Sequence, residues 1–184
     1  MNDPRSKTLI TVGELSRLLH AHMPVVLLDV IDEQGAAPED RPKIPGSVSV
    51  HLATDFSGQS TPVSGRRPLP EINELQSKAR SWGISAGSIV VVYDNSGGSQ
   101  ASRAWWTLRW AGLTDVRVLD GGLAAWAAAN LPCSNHVAHR AAAPGDVVLR
   151  SGCMPTIDAD EAASLAKQSK LLDARAKPGL CRRR

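Results

Sequence analysis

Ile89-Val-Val-Val-Tyr93, then Asp94-Asn-Ser-Gly-Gly-Ser99, then Gln100 to Ala111: the reading of the fold turns on this stretch. The apolar run is too short for a typical helix and rich in β-branched residues, which predicts a strand buried on both faces. The polar, glycine-containing residues after it predict a loop, and the next segment a helix closed by Gly112. Gly97 and Gly98 let the backbone curl so that successive N–H groups face one point. The helix start adds partial positive charge there. Ligands of open parallel sheets bind beyond the carboxyl ends of the strands. Asp94, Asn95, Ser96, Gly97, Gly98 and Ser99 are therefore candidates for an anion-binding loop, with Arg103 as a further candidate on the helix. Arg103 also reads as the partner of a structural salt bridge with Asp94 or Asp120.

Working outward, the same alternation recurs. Thr11-Val-Gly-Glu14 has the form of a capping box opening a short helix with Leu15, Leu18 and Leu19 on one face. Val25-Val-Leu-Leu-Asp-Val30 predicts a second buried strand, residues 31–43 a loop, Ile44-Pro-Gly46 a turn and Ser47–Leu52 a short strand. Residues 55–68 read as a long surface loop in which Arg66 and Arg67 are solvated. A helix is expected from Pro70 to Trp82, a strand over Val116–Leu119, a turn at Asp120-Gly-Gly122 and a last helix over Leu123–Ala129. Apolar strands alternating with helices predict an α/β fold, a parallel sheet flanked by helices on both faces.

Composition excludes several classes. Hydrophobic residues make up 42% of the chain, enough for a sizeable core. The net charge of +3 rests on Arg182, Arg183 and Arg184, so it does not argue for nucleic acid. Cys133, Cys153 and Cys181 are widely spaced and odd in number, against zinc or a disulfide framework. His20, His22, His51, His136 and His139 are scattered, so no metal or other cofactor is expected. The polar N-terminus and the absence of a long apolar run point to a cytoplasmic protein without a membrane partner. Trp105, Trp106 and Trp110 read as core and domain-interface packing.

Val91-Val-Tyr-Asp94, Ala101-Ser-Arg-Ala-Trp-Trp106, Gly112 and Val116-Arg-Val-Leu-Asp-Gly-Gly-Leu-Ala-Ala-Trp126 resemble the first domain of tandem rhodaneses, the thiosulfate and 3-mercaptopyruvate sulfurtransferases. Ile44-Pro-Gly-Ser47 resembles a second signature of that family, with Lys43 and Ser47 where His and Ala are usual. The resemblance implies a rhodanese-like fold and transfer of sulfane sulfur through a cysteine persulfide at the start of the loop. That nucleophile must be a thiolate held by loop N–H groups. In tandem members the second domain carries it, and the first has Asp at the matching position. Asp94 matches that non-catalytic copy, so it is expected as a carboxylate satisfied by its own loop, and no residue of this chain is expected to be catalytic.

An internal repeat bears on the same point. Thr11 and Thr156 stand 145 positions apart, and Asp29 and Asp173, in Val25-Val-Leu-Leu-Asp-Val30 and Lys170-Leu-Leu-Asp-Ala-Arg175, stand 144 apart. The expected organisation is one domain over residues 8–131, a linker over 132–152, and the start of a second copy over 153–184. A cysteine at the loop of that second copy would fall near position 238, past Arg184. Gly179 stands where the family usually has an anion-binding Arg, and the end reads as truncated or frame-shifted. The expectation is a sulfurtransferase relative that is itself inactive or weakly active. The alternatives are a non-catalytic module binding a small sulfur-containing anion or a protein partner, or a degenerate product. A face left uncovered by a missing second domain would be open to self-association.

Overall fold

The computed structural model describes residues 4–32, 41–62, 64–135, 143–168 and 172. The chain divides into two compact units, Met1–Met154 and Pro155–Arg184. The first unit holds a five-stranded, wholly parallel sheet. Its strands are β1 (Leu9–Ile10), β2 (Val25–Ile31), β3 (Val48–His51), β4 (Ile89–Tyr93) and β5 (Val116–Leu119), in spatial order β1-β5-β4-β2-β3. β4 lies at the centre, in register with β2 from Val25↔Ile89 to Asp29↔Tyr93 and with β5 from Val90↔Val116 to Val92↔Val118.

The continuous apolar runs serve both faces of this sheet. Leu28 and Val30 of β2 and Val90 and Val92 of β4 join one core cluster with α3 (Ile72–Ser81) and α4 (Ser99–Trp110), through Leu75, Ala79, Ala104 and Leu108. Leu27, Val91 and Tyr93 join the opposite cluster with α1 (Val12–His20) and α5 (Gly122–Ala128), through Leu15, Leu123 and Trp126. A strand lined with apolar side chains on both faces has no solvated side, which is why period-two alternation is absent. Thr11 caps α1 as expected, its hydroxyl accepting from the Glu14 N–H while Glu14 accepts the Thr11 N–H. Trp105 and Trp106 are partly buried against the α3–α4 cluster, and the indole N–H of Trp105 donates to the Val116 carbonyl at 2.9 Å.

Three features depart from the sequence reading. A four-residue helix, α2 (Leu52–Asp55), follows β3 directly, and the Asp55 carboxylate accepts the His51 N–H at 2.7 Å. The helix expected from Pro70 begins at Ile72. The third departure is the largest. Residues 143–152, expected as linker, belong to the first unit and supply part of its core. Val147 and Leu149 are buried in the α3–α4 cluster while Val148 between them is 80% exposed. The Gly145 N–H donates to the Arg80 carbonyl, the Arg80 guanidinium to the Val147 carbonyl, and the Leu149 N–H to the Gln76 side chain. A Pro/Ala/Gly/His-rich composition concealed this extended strap, whose pattern is only three residues long.

In the second unit, α6 (Ala159–Gln168) opens with a reciprocal cap: Asp158 accepts from the Glu161 N–H and Glu161 from the Asp158 N–H, both at 2.8 Å. The strand expected over Lys170–Arg175, its Asp173, and Gly179, Cys181 and the terminal arginines lie outside the described residues, Leu172 apart. Among the described residues no helix is long and apolar enough to cross a membrane.

The strap makes a measurable claim. Leu149→Ala should lower unfolding free energy by roughly 2–4 kcal/mol, the usual effect of emptying a core leucine site, in urea denaturation. Val148→Ala should change it by less than about 0.5 kcal/mol, as for an exposed position.

Candidate functional site

Asp94 is the first residue beyond the carboxyl end of β4, and it is 1% exposed. Gly97 and Gly98 follow with φ of 72° and 87°, the left-handed conformation that glycine adopts without a Cβ clash. This curl turns the backbone around the carboxylate. One oxygen, Oδ1, accepts the N–H groups of Ser96 at 2.9 Å and Gly98 at 2.8 Å. The other, Oδ2, accepts those of Gln100 at 2.8 Å and Ala101 at 2.9 Å. Gly98 is the N-cap of α4 and has no side chain to cap with, so Asp94 caps the helix from four residues upstream. Burial pushes the Asp94 carboxyl upward, but the N–H groups of Ala101, Ser96, Gly98 and Gln100 outweigh it and hold it below the usual carboxylate value.

The backbone of Asp94 is equally engaged. Its carbonyl accepts the Leu123 N–H at 3.0 Å and sits where a Cβ on Gly122 would be, 2.5 Å away. The Asp120-Gly-Gly122 turn therefore needs glycine at its last position, and it fastens α5 to the loop.

Asn95, Ser96, Gly97 and Ser99 are exposed, with the Ser96 and Ser99 hydroxyls 3.3 Å apart. Arg103 does not face this loop. Its guanidinium donates to the carbonyl of Arg67 at 2.9 Å and reaches that of Pro68 at 3.4 Å. Neither expected partner is free for it: Asp94 is filled by N–H donors, and Asp120 pairs with Arg5 at 2.8 Å. Burial, and then the nearby Arg67, lower the Arg103 pKa. Arg67 is not solvated as expected; it pairs with Asp32 at 3.0 Å. Cys133 and Cys153 are exposed, with their thiols near the carbonyls of Leu131 and Arg150 rather than at the loop.

Sequence reasoning missed a buried polar cluster beside the loop. Asp29, fully buried on β2, lies level with Tyr93 of β4 and Ser49 of β3. Arg41 makes an ion pair with it, without an aligned hydrogen bond. Lys43 is 2% exposed and donates to the Ser49 hydroxyl at 3.1 Å. The Tyr93 hydroxyl accepts the Ile44 N–H at 3.1 Å and donates to Ser47 at 2.8 Å. Burial raises the Asp29 pKa against the pull of Arg41 and Lys43, and Asp94 adds to the rise. Burial likewise pushes the Tyr93 phenol well above its ordinary value. The signal in the sequence was the Asp inside an otherwise apolar strand, facing the Ile44-Pro-Gly-Ser47 turn.

The fold and this loop define a domain of one known class. Residues 11–129 match the family described as rhodanese-like domain, and the chain belongs to it. It is 41% identical over 148 residues to the "Probable 3-mercaptopyruvate sulfurtransferase" of Pseudomonas aeruginosa, covering 78% of this chain and 51% of that protein. It is 33% identical over 142 residues to the thiosulfate sulfurtransferase of Azotobacter vinelandii, covering 77% of this chain and 51% of that protein. The chain spans about half the length of the curated relatives it matches. Among solved structures, SseA of Escherichia coli, described as a 3-mercaptopyruvate sulfotransferase, superposes with TM-score 0.70 at 22% identity over 87% of this chain and 62% of that one. The 3-mercaptopyruvate sulfurtransferase from Leishmania major gives 0.69 at 20% over 82% and 42%. These similarities place the chain in a family with sulfurtransferase members and confirm the rhodanese fold.

Because the folded-state pKa of Asp94 lies below its unfolded value, its contribution to stability is complete above the unfolded pKa and is lost as pH falls through the folded one. Asp94→Asn should reduce stability by roughly 2–4 kcal/mol near neutral pH, since an amide group cannot accept on both sides. That difference should stay level from about pH 7 to 5 and shrink below about pH 4. Paired urea titrations across this range measure it.

Proposed function

We propose that this chain is a non-catalytic rhodanese domain of the sulfurtransferase lineage, in which Asp94 stands in for the sulfur-carrying nucleophile. The observation that carries this reading is the filled cradle: four N–H groups converge on the Asp94 carboxylate. In a sulfur-transferring loop such donors stabilise a thiolate and the persulfide made from it. A carboxylate is a hard oxygen base that forms no persulfide. It also occupies the donors an anionic sulfur donor would use, with the buried Asp29 adding negative charge nearby. On this reading the loop is a structural cap rather than an anion site. Sulfur transfer then depends on a cysteine outside it.

Two experiments test this. With thiosulfate or 3-mercaptopyruvate as donor and cyanide as acceptor, the protein should show only background turnover, unchanged by Cys133→Ser, Cys153→Ser or Cys181→Ser. Turnover abolished by any one of these would overturn the reading. Asp94→Cys places a thiol among the same donors. Its thiolate should attack the outer sulfur of thiosulfate, breaking the S–S bond and releasing sulfite with the bonding pair. Mass spectrometry should then show a gain of about 32 Da, one sulfur atom, on that cysteine alone.

A further inference from the structure

A cavity of about 340 Å³ opens where the chain leaves β2 and β3, lined by Asp32, Ser57, Gly58, Ser60, Arg66 and Arg67 among others. It lies at the carboxyl edge of the sheet, since Asp32 directly follows β2 and α2 directly follows β3. Its wall is formed by residues 56–62 and 64–70, which are bonded to one another. The Gly58 N–H donates to the Pro68 carbonyl, Ser57 to the Leu52 carbonyl and Ser60 to the Gly65 carbonyl, while Thr61 and Ser64 bond each other. From behind, Arg103 holds the carbonyls of Arg67 and Pro68. A wall braced in this way needs little ordering when a ligand enters.

Among the described residues, two guanidinium groups and one carboxylate line the cavity. Asp32 engages one nitrogen of Arg67, Nη2, at 3.0 Å. The other terminal nitrogen of Arg67, Nη1, is buried with no hydrogen-bond partner among the described residues. Arg66 is exposed, and no hydrogen bond or ion pair holds its side chain among the described residues. Buried guanidinium donors without acceptors are costly, and an acceptor-rich anion is the partner that suits them.

We propose that this cavity binds a small anion with an oxyanion or carboxylate head, held by Arg66 and Arg67. It is a separate site from the loop that Asp94 fills, and it uses the fork geometry of guanidinium, which matches two oxygens of one head group. Asp32 orients Arg67 and limits the charge of the ligand.

The test is isothermal titration of the whole chain with sodium sulfate and, in a second arm, sodium acetate, each against sodium chloride at matched ionic strength. Saturable one-to-one binding above chloride is expected in at least one arm; the arm that binds more tightly tells a tetrahedral head from a planar one. Arg66→Ala, at an exposed position where folding should be unaffected, should weaken binding by about tenfold. Arg67→Lys, which keeps the charge but loses the fork, should weaken it by a similar factor. No saturable binding in either arm, or unchanged affinity in Arg66→Ala, would overturn the proposal. The anion titration uses the unmodified chain and the persulfide experiment uses Asp94→Cys, so the two results fail independently.

Discussion

The carboxylate of Asp94 accepts four backbone N–H groups, two from the loop and two from the first turn of α4. Much else depends on that arrangement. It fixes the start of α4, and so the direction from which Ala101, Ala104 and Leu108 reach the sheet. Through its carbonyl the same residue fixes the start of α5 on the opposite face. One side chain and one backbone group thus register two helices on two sides of the central strand. A loop that concentrates donors on one point thus holds its own carboxylate there.

The neighbouring cluster of Asp29, Arg41, Lys43, Tyr93 and Ser47 shows what a polar group inside a parallel sheet requires. A carboxylate at 0% exposure is tolerable only with opposite charge against it, and Arg41 and Lys43 supply that charge. Tyr93 then spans from the central strand to the Ile44-Pro-Gly-Ser47 turn through two hydrogen bonds. The Lys found where the related signature usually has His is consistent with this role. Its side chain is buried and donates to the Ser49 hydroxyl.

The sheet and its helices were legible in the sequence because parallel strands buried on both faces leave continuous apolar runs that no loop imitates. The Val25–Val30 and Ile89–Tyr93 runs placed β2 and β4 to within a residue. The self-satisfied state of Asp94 was legible too, since glycines three and four residues beyond an acid let the backbone curl around it. What stayed hidden depends on contacts between distant parts of the chain. Arg103 looked like the partner of a carboxylate, but its acceptors are main-chain carbonyls some 35 residues away, which no side-chain pattern reveals. Arg67 looked solvated because Asp32 is equally far from it in sequence.

The strap bearing Val147 and Leu149 also sets the order of events when the chain is made. The last strand of the sheet ends at Leu119, yet the core behind α3 and α4 stays open until Leu149 arrives. A nascent chain carrying every strand would still lack Val147 and Leu149, two buried members of that core cluster. The domain is thus finished from outside its sheet, and the interval before closure is the time at which chaperones or aggregation would compete for it.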